Sequence, residues 1–255
     1  MFGNVFKKSW KRQEGRQKAR NQFRPRVEQL EDRCLPSTNL GGLYSITFAA
    51  ANPAFYTPVL PSEVHRAPQK RVTKDPIPGA DYELLVNGTP TVVGLTSLPA
   101  SQMKLGQIVP YFFVITMAST TPATKNTTIT ITADWAIQTT SNGNFGYDPT
   151  FGVLAAFVDA GDLATAGNST KASATITSST VLGAGTNNAR IEGVFTVTGV
   201  NSGSTIVVDA WVVLDTALNG ATGDVVAKLV SATAQDGSNI QTGTQTIPLT
   251  KVELL

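Results

Sequence analysis

Strict alternation of apolar and polar residues is the feature that most constrains the fold of this chain. In "TTITITADW" (127–135), every second residue from position 129 onward is apolar: Ile129, Ile131, Ala133 and Trp135. Successive side chains of a β-strand point to opposite faces, so such a segment buries one face and turns the other to water. The pattern predicts a half-buried strand, with Trp135 in the core.

Similar segments recur along the chain and are separated by turn-forming residues. We predict strands at the following places: one ending near Ala50, then 82–86, 91–95, 106–118, 127–135, 151–158, 171–182, 189–200, 204–215, 224–234 and 243–249. Segment 151–158 is apolar on both faces, which fits a buried strand or a short helical turn. Asn87-Gly88 is a strong hairpin turn, and the spacing of strands is typical of an antiparallel β-sandwich. Beyond the opening segment, no helix is predicted.

The middle of the N-terminal half is rich in proline. Six prolines fall between Pro53 and Pro78, together with His65, the only histidine of the chain. Such a composition favours an extended, exposed segment. We therefore divide the chain into a basic opening segment (1–38), a proline-rich linker with one strand (39–80) and a β-sandwich domain (81–255).

The opening segment differs in charge from the rest of the chain. Its first 34 residues hold ten Lys and Arg against four Asp and Glu, a net charge of +6, whereas the whole chain carries +2. A contrast of this kind is typical of a tail with its own task. The segment is predicted to be partly helical or disordered, because Pro25 interrupts it and only a short apolar stripe follows.

The end of this segment, "RPRVEQLEDRCLPS" (24–37), resembles the N-terminal sorting segment of planctomycete extracellular proteins. In that family a basic stretch precedes a conserved core, and the matching residues here are Val27, Glu28, Leu30, Glu31, Asp32, Arg33, Leu35 and Ser37. The resemblance implies export to the cell surface or beyond it, with the export machinery as the partner of this segment. It implies nothing about activity.

Two other interpretations of a basic tail are a nucleic-acid-binding arm and a basic helix on a membrane surface. The "LEDR" core favours export over both, so we expect no nucleic acid partner. The chain holds no apolar run near the roughly 18 to 20 residues that a membrane helix requires, so no transmembrane span is expected.

A second resemblance concerns the predicted sandwich. "GQIVPYFFVI" (106–115) and "GVFTVTGVNSGSTIVVDAWV" (193–212) look like the immunoglobulin-like repeats of bacterial surface proteins in rhythm and in a few residue types. Such modules act as spacers or adhesive units. The resemblance implies an immunoglobulin-like β-sandwich and envelope proteins or polysaccharide as partners.

Catalytic groups are sparse in the sequence. His65 lies in the proline-rich segment and Cys34 in the sorting segment, so neither joins a nucleophile to a base. "VVLDTALNG" (212–220) resembles the active-site turn of retroviral-type aspartic peptidases, in which a homodimer would supply Asp215 twice. An Asp that ends a strand and opens a turn is more common for backbone reasons. We therefore predict no enzyme.

Two ligand sites remain as alternatives. Asp148, Asp159 and Asp162 could supply oxygen ligands to Ca²⁺ from loops between strands, although turn formation is the more common role of such residues. "FGYDPTFG" (145–152) could expose Tyr147 and its neighbours as a platform for carbohydrate or protein, or pack its rings on the sandwich edge. No other cofactor is predicted.

Together these patterns favour an exported, non-catalytic structural or adhesive protein of the cell surface. A Ca²⁺- or carbohydrate-binding sandwich is the alternative, and an aspartic peptidase is the least favoured reading. The sequence alone fixes neither the strand order nor the partner.

Overall fold

A computed structural model describes residues 39–63, 77–137, 146–159, 171–216 and 225–249 of the chain. Residues 39–255 form one structural unit. Its described strands are β1 (Tyr44–Ala50), β2 (Glu83–Val86), β3 (Thr89–Val92), β4 (Ile108–Met117), β5 (Thr127–Ala136), β6 (Val153–Asp159), β7 (Ser173–Leu182), β8 (Arg190–Val200), β9 (Thr205–Val213), β10 (Val225–Ala234) and β11 (Gln245–Leu249). Two short 3₁₀ segments, Leu40–Leu43 and Ala100–Gln102, are the only helical turns among these residues.

The strands form three antiparallel sheets. A four-stranded sheet has the order β1-β4-β9-β6, and a five-stranded sheet has the order β11-β10-β5-β8-β7. The hairpin β2-β3 is a separate two-stranded sheet, in which Asn87 and Gly88 both take positive φ at the turn. The all-β prediction is therefore confirmed. Segment 151–158, which fitted either a strand or a helical turn, lies mostly in strand β6.

The two larger sheets pack face to face over one apolar core. The alternating residues of β5 named above are all fully buried there, and so are the even-numbered residues of β9 from Ile206 to Val212. Aromatic rings fill the centre, where Tyr111 meets Trp135 edge-on and Phe113 lies against Phe195. The core has a sandwich-like arrangement because each sheet contributes its apolar face to the same layer.

A second apolar cluster covers the other face of the four-stranded sheet. Odd-numbered β9 residues, including Trp211 and Val213, pack there against Tyr56 and Ile77. β9 is consequently buried on both faces. Ala80 belongs to the same cluster, so the described parts of segment 39–80 add β1 and buried side chains to the folded unit, which a separating linker would not do.

Pro110 lies inside β4, between β1 and β9. The Ala51 N–H donates to the Pro110 carbonyl over 3.0 Å, and β1 ends one residue earlier. Proline has no N–H to return that bond, so pairing with β1 stops at this point. Pro110 therefore lies at the position of β4 where its pairing with β1 ends. Among the described residues, no helix is long and apolar enough to cross a membrane.

Candidate functional site

Several residues singled out in the sequence lie outside the described residues. These are the whole sorting motif, Val27, Glu28, Leu30, Glu31, Asp32, Arg33, Leu35 and Ser37, together with Cys34, His65 and Asp162. Sorting through that motif therefore stays a prediction.

The two described acids of the calcium hypothesis lie far apart. The Asp148 N–H donates to the Val213 carbonyl at one end of β9, whereas Asp159 ends β6 in register with Val207. At about 3.3 Å per residue, these positions are about 20 Å apart along β9. The Asp148 side chain accepts a bond from the Thr150 N–H over 2.8 Å, as a turn-forming Asp does. Within the described ranges, no group of three His, Cys, Asp or Glu is placed to hold a metal ion.

Tyr147 is a core residue. It is fully buried, forms an isolated bridge with Leu214, and its hydroxyl shares a short hydrogen bond with the hydroxyl of Tyr111. Burial raises the pKa of both phenols. Its ring cannot stack on a ligand from solvent, so Tyr147 does not form the binding platform that was one of the two alternatives for 145–152. Its neighbour Phe151 is half-buried against the second cluster.

Asp215 follows β9 and is half-exposed. Its N–H donates to the Gly146 carbonyl over 2.8 Å, and its own carbonyl accepts from Gly106. Asp215 borders a depression of about 250 Å³, whose other lining residues are mostly apolar: Ile137, Pro149, Val181, Ala184, Gly185 and Ala189. The backbone bonds explain why an Asp-containing bend occurs here. These bonds do not test the aspartic peptidase hypothesis, which requires a homodimer that brings two copies of Asp215 together.

The outer face of the five-stranded sheet carries an array of hydroxyl groups that the sequence analysis did not identify as a site. Its members, which we call the hydroxyl face, are all exposed or half-exposed: Thr128, Thr130, Thr132, Ser173, Thr175, Thr177, Ser178, Thr196, Thr198, Ser231 and Thr233. They occupy the polar half of each alternating strand. Because the inner residues of β5 and β8 anchor these strands in the core, the outer residues are held in fixed positions.

Strand register aligns these residues in rows across the sheet. One row runs Thr233, Thr130, Thr196 and Thr175 through β10, β5, β8 and β7. The next row toward the chain reversal at Val200 contains Thr128, Thr198 and Ser173. On the other side, Ser231, Thr132 and Ser178 share a row with Val194, the single apolar member of these rows.

Neighbouring hydroxyls are bonded to one another. The Thr177 and Thr196 hydroxyl oxygens lie 2.7 Å apart, and those of Ser173 and Thr198 lie 2.9 Å apart. The side chain of Gln235 accepts the N–H of Thr128 at the margin of the array. Since a hydroxyl both donates and accepts, each bonded pair still has capacity for a further partner.

A row of charged residues borders the array next to the row of Ser231, Thr132 and Ser178. Lys228, Asp134 and Glu192 stand in one row, and the Arg190 Nε lies 2.8 Å from a carboxylate oxygen of Asp134. Burial raises the pKa of Asp134, and the nearby Arg190 partly opposes that shift. The three hydroxyl rows contain no charged residue.

The alternation of Thr with apolar residues in β5, β7 and β8 was the available signal for this surface. That signal gives the outward face of each strand but not which outward residues become neighbours.

No protein-family model, curated protein or solved structure matches this chain.

Proposed function

We propose that the chain is an exported, non-catalytic structural or adhesive protein of the cell surface, and that its folded unit is an immunoglobulin-like β-sandwich. The hydroxyl face is the observation that carries the adhesive part of this proposal. It is broad, uncharged and held by a rigid core, which suits a surface that makes many weak contacts without performing chemistry.

Two further features support the proposal. The sandwich-like pairing of a four-stranded with a five-stranded sheet is the kind of architecture that surface modules share. The resemblance of residues 24–37 to a sorting segment supplies a route to the surface. The loop-based Ca²⁺ alternative has less support, because Asp148 and Asp159 lie at opposite ends of β6.

Cell fractionation tests the export step. We expect the tagged full chain in the envelope or medium of its own host, and we expect substitution of Glu31, Asp32 and Arg33 by Ala to retain it in the cytoplasm. Replacement of Gln13, Glu14 and Arg16 by Ala is the matched control within the same segment and should leave export unchanged. Wild-type chain found only in the cytoplasm would contradict the proposal.

A further inference from the structure

The hydroxyl face offers a repeating set of hydrogen-bonding groups. Strands in a sheet lie about 4.8 Å apart, and alternate residues of one strand lie about 6.7 Å apart. Thr130 and Thr196, which are direct cross-strand partners near the centre, therefore belong to a two-dimensional lattice of donors and acceptors. A ligand that itself repeats can meet several of these groups at once.

The array is also preorganised. Ile129, Ile131 and Val197 are fully buried directly beneath it, and the outward residues are mostly Thr, whose branched side chain has a restricted χ1. Mutual bonds, such as the one between Thr177 and Thr196, restrict the hydroxyls further. Binding would then cost little side-chain entropy on the protein side.

The charge and composition of the face select the chemical class of the ligand. Its three rows hold no charged group, so a polyanion or polycation gains nothing there. They also hold no aromatic residue, Met or Arg, the types that usually anchor a protein partner. A polyhydroxyl chain without charge is complementary to this surface. Sheets twist, and a flexible chain can follow a twisted surface that a planar solid would touch only locally.

We propose that the hydroxyl face binds a neutral polysaccharide through hydrogen bonds to its rows of Thr and Ser. This inference rests on the adhesive role proposed above and names the ligand class. It moves the carbohydrate site from the loops near Tyr147 to the outer face of the five-stranded sheet. Because the contacts involve no net charge on the face, binding there should depend little on ionic strength.

Pull-down of the purified full chain with insoluble neutral polysaccharides tests this inference. Cellulose, a β-1,3-glucan and starch serve as probes, at low salt and at high salt. We expect retention on at least one polymer, with the same bound fraction at both salt concentrations. The Thr130→Val/Thr196→Val variant should bind that polymer at least about tenfold more weakly, because it loses two central hydroxyls while keeping shape and strand preference.

The other sheet offers a matched control. Thr116 and Thr205 are also direct cross-strand partners, and their hydroxyl oxygens lie 3.0 Å apart on the outer side of the four-stranded sheet. The Thr116→Val/Thr205→Val variant should bind like the wild type. Retention on none of the polymers, equal binding by the Thr130/Thr196 variant, or an equal loss in the control would each overturn the inference. These results use purified protein, so they do not depend on whether the cell exports it.

Discussion

At the residue scale, single side chains protect the strand edges where the two large sheets meet. Gln245 of β11 accepts the Phe48 N–H over 2.6 Å and donates to the Ile46 carbonyl over 2.7 Å, so it satisfies backbone groups at the edge of β1. At the opposite corner, the Ser179 hydroxyl accepts the Val153 N–H of β6 over 2.8 Å. Unpaired edges are templates for association, and these contacts satisfy some of the backbone groups that an edge strand would otherwise expose.

The Gln245→Ala substitution should therefore destabilise the fold. It leaves partly buried backbone groups of β1 without their partner, which costs about 1 to 3 kcal/mol of unfolding free energy. Urea unfolding followed by tryptophan fluorescence measures the loss. Thr246→Ala, an exposed neighbour on the same strand, is the control and should change stability little. Equal stability of the Gln245 variant and wild type would contradict this role.

A pH-dependent contact lies where the described chain begins. Bonds from the Ser238 hydroxyl and N–H, and from the Leu40 N–H, hold the pKa of Asp236 below its usual range. A carboxylate with a lowered pKa stabilises the fold above its unfolded pKa of about 3.9 and loses that contribution as the pH falls through its folded pKa.

Asp236→Asn should consequently be less stable than wild type at pH 7, with a smaller difference at an acidic pH below the lowered pKa of the Asp236 carboxyl, where wild-type Asp236 is protonated as well. Denaturant unfolding at the two pH values measures this change. Ser238→Ala removes one of the donors and should reproduce part of the effect. A stability difference that is the same at both pH values would show that the charge of Asp236 is not responsible.

At the element scale, close packing between strands depends on a glycine in β8. Gly193 faces the core, where an added Cβ would lie 2.8 Å from a Val153 methyl and 2.9 Å from the rings of Trp135 and Phe195. It has an ordinary strand conformation, so the requirement is for space rather than for positive φ. The residue allows β6 to approach the five-stranded sheet beneath Trp135.

We expect Gly193→Ala to lower the unfolding free energy by about 1 to 3 kcal/mol through overpacking. Gly42→Ala is the matched control, since an added Cβ there meets no atom within 4 Å. Thermal unfolding followed by near-ultraviolet circular dichroism measures both variants, and the signal, to which the buried Trp135 contributes, also reports on aromatic packing. If Gly193→Ala left the unfolding free energy unchanged, Val153 and the two rings would have to move aside without cost, and the proposed space requirement would be wrong.

At the scale of the whole molecule, the excess of positive charge lies outside the described residues. The described members of both apolar clusters come from Leu40 onward, and the ten Lys and Arg of the first 34 residues lie before them in the sequence. Residues 39–255 carry ten Lys and Arg against 14 Asp and Glu, a net charge of −4.

Residues 39–255 expressed alone should therefore keep the fold while reversing the sign of the net charge. We expect a midpoint of thermal unfolding close to that of the full chain, and elution from a cation-exchange column at lower salt. Differential scanning calorimetry and chromatography provide the two measurements. Loss of a cooperative transition in the shortened chain would show that residues 1–38 contribute to the fold.

The sequence by itself determined that the chain is built mainly of strands and, for the strictly alternating segments, which side is apolar. Side-chain alternation is a local property, so Ile129, Ile131, Ala133 and Trp135 could be assigned to one buried face, and Asn87-Gly88 to a hairpin turn, before any contact was known.

Only the tertiary structure decided which strands are neighbours. Strand order and register depend on contacts between residues distant in sequence, and alternation within one strand contains no information about them. For this reason the placement of Thr130 beside Thr196, the burial of Tyr147 and the separation of Asp148 from Asp159 could not be predicted. The second apolar cluster could not be predicted either, because a proline-rich composition does not indicate which sheet face Tyr56 and Ile77 cover.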